Sequence, residues 1–215
     1  MTRPPVHDQQ VLREVDRVEI QLRTGRVELS GQRRSTVRLR TTTRSRWRDR
    51  PLSVRHDDGC LSIDGLRSAA RIELALPPNL AVRVRLRDGD ITLWGASGTL
   101  SLSTDRGQVT GRDLGAEPPA AADELAAHPP GPSAITAHAR TGAISLHLRT
   151  SPASVDAAAA GNVVVVLPRG SYRVDASAAT GEPLVEVEQG AGPPLRLSSS
   201  AGTVRVMPDA GPLPI

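Results

Sequence analysis

Val82-Arg83-Val84-Arg85-Leu86-Arg87-Asp88-Gly89-Asp90-Ile91-Thr92-Leu93 carries two alternating runs joined at a glycine. Before Gly89, aliphatic residues alternate with arginines; after it, Ile91 and Leu93 alternate with polar neighbours. A period of two puts successive side chains on opposite sides of a strand, so one row faces a core and the other faces water. Glycine supplies the corner between the runs, because it takes up positive φ without a Cβ penalty. Val18-Glu19-Ile20-Gln21-Leu22-Arg23, followed by Thr24-Gly25, repeats the arrangement near the start of the chain.

The unit recurs, and its anchors are Gly25, Gly59, Gly89, Gly107, Gly142, Gly161, Gly181 and Gly202. The residue two places on is aliphatic except at Pro183, and the residue four places on is aliphatic except at Gly111. The spacings are 34, 30, 18, 35, 19, 20 and 21, so a unit of about 20 residues is the common measure. The 35 contains a Pro- and Ala-rich insertion, Gly115 to Ala134. The 34 has room for one more unit turning near Thr41-Thr42-Thr43, and the 30 for a corner at Pro77-Pro78-Asn79. Twenty residues hold two short strands and two corners. Stacked with strands about 4.8 Å apart, such units make a β-solenoid-like all-β fold. Antiparallel hairpins turning at Asp-Gly and Thr-Gly satisfy the same strings, and they would make an antiparallel β-sandwich or barrel instead.

Composition agrees with a thin interior. The chain has 215 residues, 38% apolar and 23% charged, enough for one folded domain. It has no Phe, and its only aromatic residues are Trp47, Trp94 and Tyr172. A core of Leu, Val, Ile and Ala follows. The expected layout is a flexible N-terminal tail over 1–14, one β-repeat domain over 15–207 with a loop insertion at 115–134, and a C-terminal tail over 208–215. All 27 basic residues are Arg. Residues 1–87 hold 19 Arg against 10 acids and residues 88–215 hold 8 against 13, so a linear stack would be basic at one end and acidic at the other. A single cysteine, Cys60, excludes an internal disulfide framework. The N-terminus lacks an apolar signal-peptide core, and the most apolar run, Asn162 to Pro168, is about a third of a membrane span. A soluble, cytoplasmic protein is the expectation.

The string Leu167-Pro168-Arg169-Gly170, with Val174 and Thr180-Gly181, has a partner in Leu76-Pro77, Val84 and Asp88-Gly89-Asp90-Ile91. Together they resemble the bacterial "putative adhesin" family of β-strand-repeat proteins, a domain of unknown function, over roughly residues 15–207. The resemblance implies a β-solenoid-like all-β fold and offers no catalytic residue to carry over. An adhesin has to reach the cell surface, and no export signal is visible in this sequence.

Chemistry-bearing motifs are scarce. There is no nucleophile elbow, phosphate-binding loop or dinucleotide fingerprint, and Gly95-Ala96-Ser97-Gly98 reads as a turn. Asp90 alone has the local form of a calcium β-roll, which requires consecutive copies. His138 and His147 flank Gly142 and are expected as surface neighbours near Arg140 and Arg149. No catalytic residue, cofactor or metal is therefore assigned. The strongest anomaly is Arg33, Arg34, Arg38, Arg40, Arg44, Arg46, Arg48 and Arg50, opposed only by Asp49 and joined by Trp47. Guanidinium forks suit phosphate and carboxylate partners, and an interleaved Trp stacks on rings. The plainer account is that alternating arginines solvate an outer strand face, as they do at Val82 to Arg87.

The expectation is a non-enzymatic binding or scaffold module of unknown partner. Its alternative is polyanion binding (nucleic acid, acidic polysaccharide or lipid headgroup) through Arg38, Arg40, Arg44, Arg46, Trp47, Arg48 and Arg50. Exposed strand edges at the ends of a stack also invite self-association.

Overall fold

The computed structural model describes residues 6–43, 52–115 and 133–209. The elements are β1 (Val6–Leu12), β2 (Arg17–Gly31), β3 (Val37–Thr43), β4 (Ser53–Asp57), β5 (Cys60–Leu76), β6 (Ala81–Trp94), β7 (Thr99–Arg106) and β8 (Val109–Leu114). They continue with β9 (Ala134–Thr141), β10 (Ile144–Leu148), β11 (Ser154–Ala159), β12 (Val163–Leu167), β13 (Ser171–Ala178), β14 (Leu184–Val185), β15 (Glu188–Ser199) and β16 (Val204–Pro208). The protein is all-β. Among the described residues no helix is long and apolar enough to cross a membrane.

Strands β2, β5 and β6 are long because each turns a corner partway and enters two ladders. Their first halves lie in ladder A with β7, β9, β11, the second half of β15, and β13. Their second halves lie in ladder B with β8, β10, β12, β16 and β14. Every one of these pairings is parallel. The cause is the corner: it sends the chain into the other ladder, so the next strand of the first ladder arrives a whole unit later in the same direction. Among the described residues, antiparallel pairs occur only where β3 and β4 flank β5 and where β1 flanks β3. The antiparallel sandwich is thereby corrected. The ladders share one core, and the parallel sheet comes close to closing as a barrel.

Two local expectations change. Val6–Leu12 falls within the stretch read as a tail, yet it pairs along its whole length with β3. The extra unit near Thr41-Thr42-Thr43 is instead the end of β3, antiparallel to β5.

The corners stack. Gly25, Gly89, Gly107 and Gly142 have φ between 138° and 155°. A Cβ on any of them would overlap the backbone carbonyl of the adjacent corner, which belongs to Ala70, Gly25, Gly89 and Gly107 respectively. Gly161 and Gly202 continue the column. Gly59 is not in it; with Asp58 it turns the β4–β5 hairpin, and the corner of that coil is Ala70, in register with Gly25. Inward residues stack as well. One column of ladder B runs Ile72, Val27, Ile91, Val109, Ile144, Val163 and Val204, all buried. Each such side chain contributes about 1.5–3 kcal/mol on burial. Gly111 interrupts the next column because Leu114 fills its place.

Sequence order and stacking order differ at both ends. β2 lies between β5 and β6, and the coil of β15 and β16 lies between that of β11 and β12 and that of β13 and β14. Side-chain size and charge favour the second exchange. β11 and β13 carry the same pattern, Val155-Asp156-Ala157 and Val174-Asp175-Ala176. β15 sets Leu197 between Ala157 and Ala176, and Arg196 between Asp156 and Asp175. Direct contact of β11 with β13 would place Asp on Asp and leave Ala on Ala underfilled. Tyr172, the one buried aromatic residue among those described, closes the last coil and donates its hydroxyl to the Pro168 carbonyl at 2.9 Å.

Gly89→Ala should therefore destabilise the fold by about 3 kcal/mol or more, since it combines overlap with forbidden φ. Gly181→Ala, which meets no atom within 4 Å, should cost only about 1 kcal/mol for its positive φ. Urea unfolding of the two variants makes the comparison.

Candidate functional site

Charged and aromatic side chains converge on the outer face of ladder B, at the end that holds β3. Register sets two rows there. The first runs Arg40, Glu73, Glu28, Thr92 and Thr110. The second runs Arg38, Ala75, Ser30, Trp94 and Arg112.

The first row neutralises itself. Arg40 lies 3.8 Å from Glu73, and Arg71 donates from Nη2 to both carboxylate oxygens of Glu28 at 3.0 Å. Arg71 Nε also stands 3.0 Å from Glu73, while Arg26 reaches Asp90 at 3.5 Å. The hydrogen bond to Glu28, and then its charge, hold the Arg71 pKa above its ordinary value. Exposed pairs of this kind add little stability, but they cancel the local field.

The second row is different. Arg38 and Arg112 are exposed, and among the described residues neither has a carboxylate partner. Trp94 stands between them, 38% exposed. The small side chains Ala75 and Ser30 floor a groove of about 440 Å³ between Arg38 and Trp94. A second groove of about 830 Å³ starts at Arg112 and runs past His147 towards Arg169 and Glu186. From β3 to β8 there are four strand steps, so the two free guanidinium strands stand about 19 Å apart. This is a shallow, elongated surface with cations at intervals and one flat ring between them, bordered by the ion-paired carboxylates of Glu28 and Glu73.

Of the arginine segment proposed from sequence, Arg38 and Arg40 lie on this face. Arg44, Arg46, Trp47, Arg48 and Arg50 lie outside the described residues. Arg33 and Arg34 are half-buried in the β2–β3 connection. The expected meeting of His138 and His147 does not occur: His138 is on β9 in ladder A and His147 on β10 in ladder B. The Gly142 corner separates them. His147 sits between Asp113 at 3.8 Å and Asp209 at 3.5 Å, and Arg149 ties both carboxylates at 2.8 Å. The hydrogen bond to Asp113 is the main cause raising the Arg149 pKa above its usual value. Asp90 accepts the Gln108 backbone N–H at 3.0 Å as well as facing Arg26. Ser97 connects β6 to β7, where its buried hydroxyl donates to the Pro78 carbonyl at 3.0 Å.

Sequence reasoning missed Trp94 and Arg112. The signal was present, because Ile91 and Leu93 point inward and alternation then turns Trp94 outward. Side chains present for docking rather than folding should be removable. Arg112→Ser should leave the unfolding free energy within about 0.5 kcal/mol, and Trp94→Ser within about 1 kcal/mol, in a denaturant titration. A large loss at Trp94 would make it a packing residue.

No family model matches the chain. No curated protein matches it by sequence. A solved structure described as a putative cell adhesion protein from Clostridium sporogenes superposes with a TM-score of 0.51 at 10% identity, covering 96% of this chain and 100% of that one. A putative adhesin from Bacteroides fragilis, at 9% identity, covers 96% of this chain and 98% of its own. A putative lipid binding protein from Parabacteroides distasonis, at 12% identity, covers 94% and 96%. Their TM-scores, 0.29 and 0.35, are too low to compare positions. The chain is thus similar in fold, and in fold alone, to the Clostridium structure described as a putative cell adhesion protein.

Proposed function

We propose that the chain is a short β-solenoid that serves as a non-enzymatic binding module, holding its partner on the outer face of ladder B. The observation that carries this reading is the row in which Trp94 stands between two arginines free of carboxylate partners, over a floor of Ala75 and Ser30. In the adjacent row Glu28 and Glu73 are held by Arg71 and Arg40, which leaves neither poised as a general acid or base.

The partner that fits best is an extended acidic polysaccharide. Its ring faces stack on an indole, carboxylates spaced every second sugar suit arginines on strands about 19 Å apart, and the small floor of Ala75 and Ser30 leaves room for the chain between them. A nucleic acid carries a phosphate on every residue and favours a continuous basic stripe, whereas most arginines on this face are paired.

Titration with fluorescently labelled hyaluronate, which carries one carboxylate per disaccharide, should show binding that weakens as salt rises. Trp94→Ala and Arg112→Ser should each reduce affinity about tenfold. A neutral polysaccharide of the same length and a single-stranded DNA serve as comparisons. Equal binding by the double variant would overturn the site, and tighter binding of the DNA would transfer the reading to nucleic acid.

A further inference from the structure

We infer that two copies of this chain join end to end through β13, antiparallel about a two-fold axis at Val174. β13 ends ladder A, and among the described residues its only strand partner is β15. Its second edge presents unpaired backbone donors and acceptors, a template for another strand. The core is also open there. Val174, Ala176 and Ala178 are half-buried, whereas their equivalents in β11, Val155, Ala157 and Ala159, are buried. Leu184, 44% exposed, lies at the same end of ladder B. The opposite end of the stack is closed differently, because β1, β3 and β4 add antiparallel strands beyond β5 and its Leu61, Ile63, Ile72 and Leu74 are buried.

The edge is complementary to itself. It reads Arg173-Val174-Asp175, with both charged residues exposed. Antiparallel pairing about Val174 sets Arg173 of each copy opposite Asp175 of the other, giving two ion pairs across the join. Arg173 faces uncharged Pro194 within its own ladder, so its charge is available. The inward row matches too: Val174 meets Val174, and bulky Tyr172 meets small Ala176. Joining β13 to β4 of another copy, head to tail, also aligns opposite charges, with Arg173 on Asp57 and Asp175 on Arg55. That arrangement, however, sets Val174 against His56, an exposed polar ring. It would also extend without limit, whereas the two-fold join stops at a dimer.

Light scattering across a concentration series tests this on the full chain. The wild type should reach twice its 22.7 kDa mass and go no further. Arg173→Asp and Asp175→Arg should each weaken dimerisation about tenfold or more, because like charges then face across the axis. An equimolar mixture of the two variants should restore the dimer, since the acids of one chain then face the arginines of the other. Circular dichroism checks that each variant keeps its strand content. Arg173→Asp has no charged neighbour on β15 to lose, so that variant decides the matter if the other misfolds. A monomer at every concentration, a dimer indifferent to Arg173→Asp, or growth past the dimer would each overturn the proposal.

Discussion

The close approach of backbone to backbone at the corner column is the constraint on which the architecture rests. At Gly25, Gly89, Gly107 and Gly142 a carbonyl oxygen of the neighbouring corner occupies the space where a Cβ would sit. Only glycine permits that contact, and it also supplies the positive φ that swings the chain from ladder A into ladder B. Because each corner rests directly on the next, the register of both ladders is set at one line. The inward columns then follow: Ile91 on Val27 and Val109, and Val84 on Ile20 and Leu102. The interior between such ladders is narrow, and aliphatic columns fill it without Phe.

A scaffold fixed from the inside leaves its outer rows free to vary, and here they divide the labour. The row through Glu28 and Glu73 closes on Arg71 and Arg40, so those charges serve one another. The row through Arg38, Trp94 and Arg112 contains no such closure. The cluster of Asp113, His147, Arg149 and Asp209 resembles the first row, because its carboxylates are held by Arg149. What distinguishes the second row is its exposed indole, Trp94, set in register between two arginines without carboxylate partners among the described residues.

Much of this was legible in the sequence. Alternation at Val18 to Leu22 and at Val82 to Leu93 identified strands, and the recurring glycines identified most of the corners. The exceptions are instructive. Gly59 stands where a unit anchor was expected, but it turns a hairpin, while Ala70 makes the corner without any punctuation that pattern reading detects. The choice between parallel and antiparallel pairing was invisible because both bury the same alternate residues. Stacking order was equally hidden: inward positions are Val, Leu, Ile or Ala in every coil, so local strings do not say which coils touch. The contrast between Asp156, Arg196 and Asp175 carries that information, and it is meaningful only once the strands are side by side. The heart of the arginine segment, Arg44 to Arg50, lies outside the described residues, so its reading rests on Arg38 and Arg40.

The exchanged order of the last coils bears on how the chain comes to be folded. Residues of β13 and β14 leave the ribosome before those of β15 and β16, and β11 and β12 are then the only surface at that end on which they can dock. Their pattern is close enough to β15 for provisional docking, with Val174 where Leu195 belongs. Were they to dock there first, the later coil would have to insert between two formed ones rather than add to a growing end, and non-local rearrangements of this kind are slow. In such a state Asp175 would face Asp156 and Ala176 would face Ala157, a mismatch that disfavours it against the native order. Small, acidic residues on β11 and β13 thus disfavour their direct contact and favour the coil that is synthesised after both.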